Sequence, residues 1–174
     1  DADAVATIFA NTSMAAAGGV LAPMVLSRLM YGKTDIGATL NGAIAGLVSI
    51  TAEPLTPSIG QAIIIGGIGG VICMFGMKLL DKLKIDDVVG AIPAHLFAGI
   101  WGTLIVPFTN GDTSYVTQII GILAFGIFTV IGSTIVWFIL KSTVGIRATE
   151  DDEEYGLDYT ESGQVGLEYV SKKK

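Results

Sequence analysis

The sequence predicts an all-α protein, a polytopic bundle of transmembrane helices. Three observations lead there. Hydrophobic residues make up 51% of the 174 residues and charged residues only 15%, well under the roughly 25% usual in soluble domains, and the mean hydropathy is +0.66. The apolar residues gather into five segments separated by short, turn-rich stretches. Lys and Arg occur only at or beside alternate gaps between those segments and in the tail after the last. A bilayer solvates segments of this kind directly, whereas a soluble globule has too few charges to cover them.

A spanning helix needs about 20 mostly apolar residues. The first segment, Ala4 to Leu29, carries Asn11-Thr12-Ser13 and then Ala15-Ala16-Ala17-Gly18-Gly19; its polar groups read as bonds between helices rather than ligand contacts. The second, Ile36 to Ala52, is the shortest and is bracketed by turn-like stretches, Tyr31 to Asp35 before it and Glu53-Pro54 to Pro57-Ser58 after it. The third runs from Ile59 to Leu80, the fourth from Val88 to Phe108 and the fifth from Tyr115 to Leu140, and residues 142–174 form an acidic tail. Gly42 and Gly46 stand four apart, as do Gly66 and Gly70, the spacing that lets helix backbones approach closely in lipid. The run Gly66 to Gly70 is not a phosphate-cradling loop: it lies within a span and no Lys-Ser/Thr follows it.

The charges orient the spans. Arg28 and Lys33 follow the first segment, Lys78, Lys82 and Lys84 flank the end of the third, and Lys141, Arg147 and Lys172 to Lys174 follow the fifth, which accounts for all 10 Lys and Arg. The other side has Asp1, Asp3, Glu53 and Asp112. Basic residues stay on the cytoplasmic side, so the start of this chain is expected outside and its tail in the cytoplasm of a cell (plasma or inner) membrane. The mildly acidic outer face either raises the local cation concentration or reflects only the exclusion of basic residues.

The composition excludes other classes. The net charge of −6 has a concentrated source in the acidic run Glu150 to Glu154, a solvated stretch, and no basic stripe suggests nucleic acid. Cys73 is alone, which rules out a disulfide framework or a cysteine metal cluster within the chain. The chain opens on Asp1 with no signal-peptide pattern, which reads as a fragment or as a chain whose upstream part has been removed.

His95, the single histidine, lies in the fourth segment with no Lys, Arg, Asp or Glu at its depth. A titratable side chain inside a bilayer commonly lines a pathway or cavity, and imidazole passes protons near neutral pH. The competing reading is a neutral core His bonded to a backbone carbonyl. A metal site lacks further ligands and a hydrolytic triad lacks its other members. Pro93 and Pro107 suggest a bent helix around His95, thinned by Gly99 and Gly102.

With those residues in view, the chain resembles the C-terminal half of ammonium transporters of the Amt/Mep/Rh family. Phe9-Ala10-Asn11-Thr12 and the alanine run resemble the start of the family's seventh helix. Asn41-Gly42-Ala43-Ile44-Ala45-Gly46-Leu47-Val48-Ser49-Ile50-Thr51 resembles its eighth. Asp86-Asp87-Val88-Val89-Gly90-Ala91-Ile92-Pro93-Ala94-His95 with Gly99-Ile100-Trp101-Gly102-Thr103-Leu104 resembles its tenth and the loop before it. Gly156-Leu157-Asp158 and Glu161-Ser162-Gly163 resemble its cytoplasmic tail motif.

The resemblance implies an eleven-helix fold of which this chain supplies helices seven to eleven, the N-terminal half being absent. It implies that His95 is one of two paired pore histidines, that Thr51 stands at the outer mouth, and that Ile44 and Ala91 belong to an apolar pore wall. Ammonium would lose a proton near the mouth and ammonia would pass the histidines. The family is a homotrimer concerned with nitrogen uptake, needs no cofactor and is not enzymatic. Its tail, matched by Gly156, Leu157, Asp158, Glu161 and Gly163, touches the neighbouring subunit and in some members lies near the binding site of a PII-type signalling protein. Ser162 and Gln164 stand where the family motif has His and Glu, which weakens the case for charge-dependent regulation through the tail.

Two rivals remain. A membrane ammonium sensor would need a signalling domain after the last span, and roughly thirty residues are too short for one. A different secondary transporter with broken helices would show self-similar halves, which five spans cannot test.

Overall fold

The computed structural model describes residues 1–163; Gln164 and Lys172 to Lys174 lie outside the described residues. The elements are helices α1 (Ala2–Tyr31), α2 (Ile36–Ile50) and α3 (Ile59–Leu83), then a π-helical turn (Ile92–Phe97) running into α4 (Ala98–Thr109), and α5 (Tyr115–Thr143), α6 (Glu150–Tyr155) and α7 (Leu157–Ser162). Among the described residues there is no strand. The described residues divide into two compact units, Asp1–Phe125 and a second that begins at Gly126, with the boundary inside α5.

Local chemistry sets the helix ends. The Asp35 carboxylate accepts the Ala38 N–H at 2.9 Å to open α2. Ser58 and Gln61 form a reciprocal capping box at α3. Gly32 closes α1 in the left-handed region, φ 71°, a conformation glycine adopts without a Cβ clash.

Four helical stretches are long and apolar enough to cross a membrane: α1, α3, the combined stretch Ile92–Thr109, and α5. The fourth segment begins later than Val88, because Gly90 turns the chain at φ 75° and helix starts only after it. Pro93 falls in the first helical turn, where its missing N–H costs nothing; it does not kink the middle of a helix. The second helix ends at Ile50, with Thr51 as its C-cap. Its 15 residues give about 22 Å, short of a hydrocarbon core of about 30 Å.

The glycines govern packing as their spacing suggests. The Ala15 carbonyl of α1 lies against both Gly46 of α2 and Gly66 of α3, and Gly19 one turn on lies against Gly42 and Gly70. A Cβ at any of these four glycines would strike backbone. The pairings run in opposite senses for α1 and α2 and in the same sense for α1 and α3, so α2 is antiparallel to both neighbours. Ser49 continues the seam to the next helix: its hydroxyl bonds the Ala45 carbonyl at 2.7 Å, and its backbone lies against Gly102.

The unit has two chemically distinct ends. At one, the Asn11 amide donates to the carbonyls of Pro54 (2.9 Å) and Pro57 (2.7 Å), and Asn110 donates to Glu53 at 3.0 Å. At the other, the Asp35 N–H donates to the Ser27 hydroxyl at 3.1 Å and the Lys78 ammonium lies 3.5 Å from the centre of the Tyr31 ring. α2 therefore joins the two ends despite its length. The surface elsewhere is apolar: Phe9, Leu40, Ile64 and Phe125 are all more than half exposed, and α5 buries none of its residues. Contiguous apolar surface on this scale suits lipid or further protein, not water.

Candidate functional site

His95 sits on the π-helical turn at the start of the fourth crossing. Asp87 organises this start: its two carboxylate oxygens accept the N–H groups of Ala91 and Ile92, each at 2.8 Å. Pro93 has no N–H to satisfy, and Ala94 donates to the Gly90 carbonyl at 3.1 Å. The turn is wide because the Ala98 N–H reaches back to the carbonyls of Pro93 and His95. It seats on α3 at Gly76, where a Cβ would come within 2.7 Å of the Phe97 ring and 2.9 Å of Pro93. Wide turns of this type recur at functional sites.

The His95 side chain is exposed, and no hydrogen bond from its ring occurs among the described residues. Among the described residues no backbone carbonyl ties the ring. Ala91, four residues earlier on the same helix, is also exposed. Ile44 is 41% exposed, and Thr51 lies two helical turns beyond it, exposed as well. Between these faces runs a closed seam in which Ala45, Cys73, Ala94 and Ala98 form one buried cluster. Ile44 adjoins the seam residue Ala45, and His95 adjoins the seam residue Ala94. The fold thus places all four residues on exposed faces of two adjoining helices.

Thr51 has a defined polarity. Its hydroxyl donates to the Leu47 carbonyl at 2.6 Å, so its oxygen presents lone pairs outward. It caps the C-terminal end of α2, the negative end of the helix dipole. Glu53, two residues on, is half-buried. Burial raises its pKa, but the Asn110 amide and the N–H groups of Thr56 and Leu55 outweigh burial and hold the carboxyl below its ordinary range. Each of these features suits a cation.

The sequence reading did not single out Asp87 as a cap, nor the pairing of Glu53 with Asn110. The first had a signal in the Asp87 to Gly90 turn; the second links residues 57 apart and had none. Asn11 does bond away from its own helix, whereas the Ser13 hydroxyl bonds the Phe9 carbonyl in its own helix. The Asn11 Oδ1 is buried without a partner among the described residues. No group of three or more metal-ligating side chains occurs among the described residues.

In the second unit the acidic run is helical. Thr149 caps α6, its hydroxyl accepting the Asp152 N–H at 3.2 Å; the same hydroxyl donates to the Asp152 carboxylate at 2.7 Å, which helps hold that carboxyl below its usual range. Gly156 (φ 88°) separates α6 from α7, and Gly163 (φ 62°) closes α7. Leu157, Asp158 and Glu161 lie on α7.

The fold is that of a helical, multi-pass membrane protein. The sequence pattern of the Ammonium Transporter Family matches residues 1–167. The chain belongs to that family, one of transporters rather than enzymes. It is 38% identical to the ammonium transporter Amt2 of Archaeoglobus fulgidus, over 92% of this chain and 39% of that protein. It is 37% identical to the putative ammonium transporter sll1017 of a Synechocystis strain, over 91% of this chain and 37% of that protein. A solved structure titled "Sensor Amt Protein" superposes with a TM-score of 0.77 at 28% identity, covering 91% of this chain and 42% of that one. The chain thus spans about two fifths of the length of these relatives.

Proposed function

We propose that this chain forms the C-terminal part of a transporter that moves ammonium across a cell membrane, with helices seven to eleven of an eleven-helix fold and α2 as a crossing. The observation that carries the reading is the exposed imidazole of His95, without a hydrogen-bond partner among the described residues, beside the seam between α2 and α4. An isolated charge is expensive to bring into a low dielectric, while neutral ammonia is not. In this reading ammonium gathers at the outer end, where the Thr51 oxygen, the α2 C-terminus and the Glu53 carboxylate favour a cation. It sheds its proton there, and ammonia passes the apolar Ile44 and Ala91. His95 pairs with a second histidine supplied by the N-terminal part and relays or accepts the proton.

The basic residues at one end, Arg28, Lys33, Lys78, Lys82 and Lys84, support a cytoplasmic position for that end. Assembly is as a homotrimer, and α6–α7 with Gly156, Leu157, Asp158, Glu161 and Gly163 form a regulatory tail open to a PII-type partner.

The test is His95→Ala in the full-length protein, read as labelled methylammonium uptake between about pH 5 and 8. Uptake should fall at least tenfold or change its pH dependence; unchanged uptake across the series removes His95 from the mechanism. The likeness to the structure titled "Sensor Amt Protein" supports a second reading as an ammonium sensor. Saturable binding of ammonium with no net uptake by wild-type protein in vesicles would favour it.

A further inference from the structure

The two helices that carry the pathway residues are joined at one end by a single polar link. Asn110 is the C-cap of α4, and Glu53 follows the C-cap of α2, Thr51, by two residues. The Asn110 Nδ2 donates to Glu53 Oε2 at 3.0 Å. Among the described residues it is the one side-chain to side-chain hydrogen bond between residues more than six apart in sequence. Both partners are fixed before they meet. The Asn110 Oδ1 accepts the Asp112 N–H at 3.0 Å, which settles the direction of the amide. The Glu53 Oε1 accepts the N–H groups of Leu55 (3.1 Å) and Thr56 (3.2 Å), and the loop behind it is held by Asn11 through Pro54 and Pro57.

We propose that Glu53 and Asn110 form a clasp that positions the Thr51 oxygen at the mouth of the pathway, making both positioning residues for substrate capture. The proposal rests on the transport reading above. Nearer the middle of the bundle, the seam between α2 and α4 consists of small residues in van der Waals contact and the long 3.5 Å approach of the Ser49 hydroxyl to the Ala98 carbonyl. A charge-assisted hydrogen bond from the C-cap of α4 to Glu53, two residues past the C-cap of α2, holds the ends of the two helices together, and a misplacement of about 1 Å at a recognition group is enough to lower productive binding.

The test uses the full-length protein in vesicles. Saturable wild-type uptake of methylammonium, competed by ammonium, establishes the transport reading; its absence defeats that reading and leaves the clasp to be judged by distance alone. Asn110→Ala keeps the Glu53 charge and removes the link, together with the local acceptor of the Asp112 N–H. It should raise the half-saturation concentration roughly five- to tenfold with the maximal rate within about twofold. Asn110→Ala with Glu53→Ala should be no worse than Glu53→Ala alone. Asn110→Ala behaving as wild type, or effects that multiply in the double variant, would overturn the clasp.

A second measurement covers a variant that accumulates poorly. Nitroxide labels at Thr56→Cys and Asp112→Cys, both exposed, with Cys73→Ala, should give a narrow distance distribution that broadens on adding Asn110→Ala. An unchanged distribution also overturns the proposal.

Discussion

Asp87 and Ile92 are joined across the start of the His95 helix, the carboxylate oxygen of the first accepting the backbone N–H of the second at 2.8 Å. The other oxygen takes Ala91 at the same distance. One side chain therefore satisfies two of the N–H groups that any helix start leaves open, and Pro93 removes a third.

Asp87→Ala strips both bonds at once. Capping losses are about 0.5–2 kcal/mol, so the full-length protein should melt a few degrees lower. Because His95 lies on this turn, the same variant should reduce methylammonium uptake by more than its loss of folded protein explains. Asp87→Asn retains one acceptor and should fall between. Parallel thermal melts and uptake assays check both, and equal behaviour of Asp87→Ala and wild type would show that the turn forms without its cap.

The glycine contacts give a paired prediction. Gly66 meets the Ala15 backbone, whereas Gly60 on the same helix has nothing within 4 Å. Gly66→Ala should cost at least about 1–3 kcal/mol, since backbone cannot move aside as a side chain can. Gly60→Ala should be neutral or stabilise by about 0.5–1 kcal/mol. Chemical or thermal unfolding of the two variants in detergent distinguishes them, and an equal effect would refute the close-approach account.

Trp101 on α4 reaches across to α3, its indole N–H donating to the Ile65 carbonyl at 3.0 Å. Trp101→Phe keeps most of the ring and loses the donor, so about 1 kcal/mol of stability should go. Trp101→Leu should cost more, because ring area goes as well. Unfolding midpoints of the two variants rank the terms; a Phe variant as stable as wild type would make the bond dispensable.

What the sequence revealed follows from the range of the interactions. The apolar segments, the Gly42/Gly46 and Gly66/Gly70 stripes and the gathering of Arg28, Lys33, Lys78, Lys82 and Lys84 at one end of the first unit are periodic or compositional, and each was legible. The role of Pro93 was not: proline suits a first turn and kinks a middle one, and only the turn at Gly90 decides between them. The shortness of α2 was partly visible in its flanking turns. The acidic run reads as solvated, and Glu150, Glu153 and Glu154 are exposed, while its Thr149–Asp152 capping box is a local signal. Asn11 with the Pro54–Pro57 carbonyls, and Glu53 with Asn110, pair residues brought together only by the packed helices. Of the residues proposed for the pathway, His95 stood out as a lone titratable group. Thr51, Ile44 and Ala91 carry no such mark and were reached only through resemblance.

Glu53 also fixes a pH dependence. Its folded-state carboxyl lies below the ordinary value, so the unfolded chain binds its proton at a higher pH than the folded one. The stability it contributes is therefore present above the ordinary carboxylate pKa, about 4.3, and is lost as pH falls through the lowered folded value. Protonation places a hydrogen on the carboxyl, and the charge-assisted bonds from Asn110, Leu55 and Thr56 weaken to neutral ones. Glu53→Gln has no such charge at any pH. The difference in melting temperature between wild type and Glu53→Gln should be a few degrees near pH 7 and should shrink progressively on acidification below about pH 4. Full-length protein in a detergent stable at low pH gives the comparison. A gap that stays constant down to about pH 2 would mean that the ionised form of Glu53 is not what holds the α2–α3 loop to the end of α4.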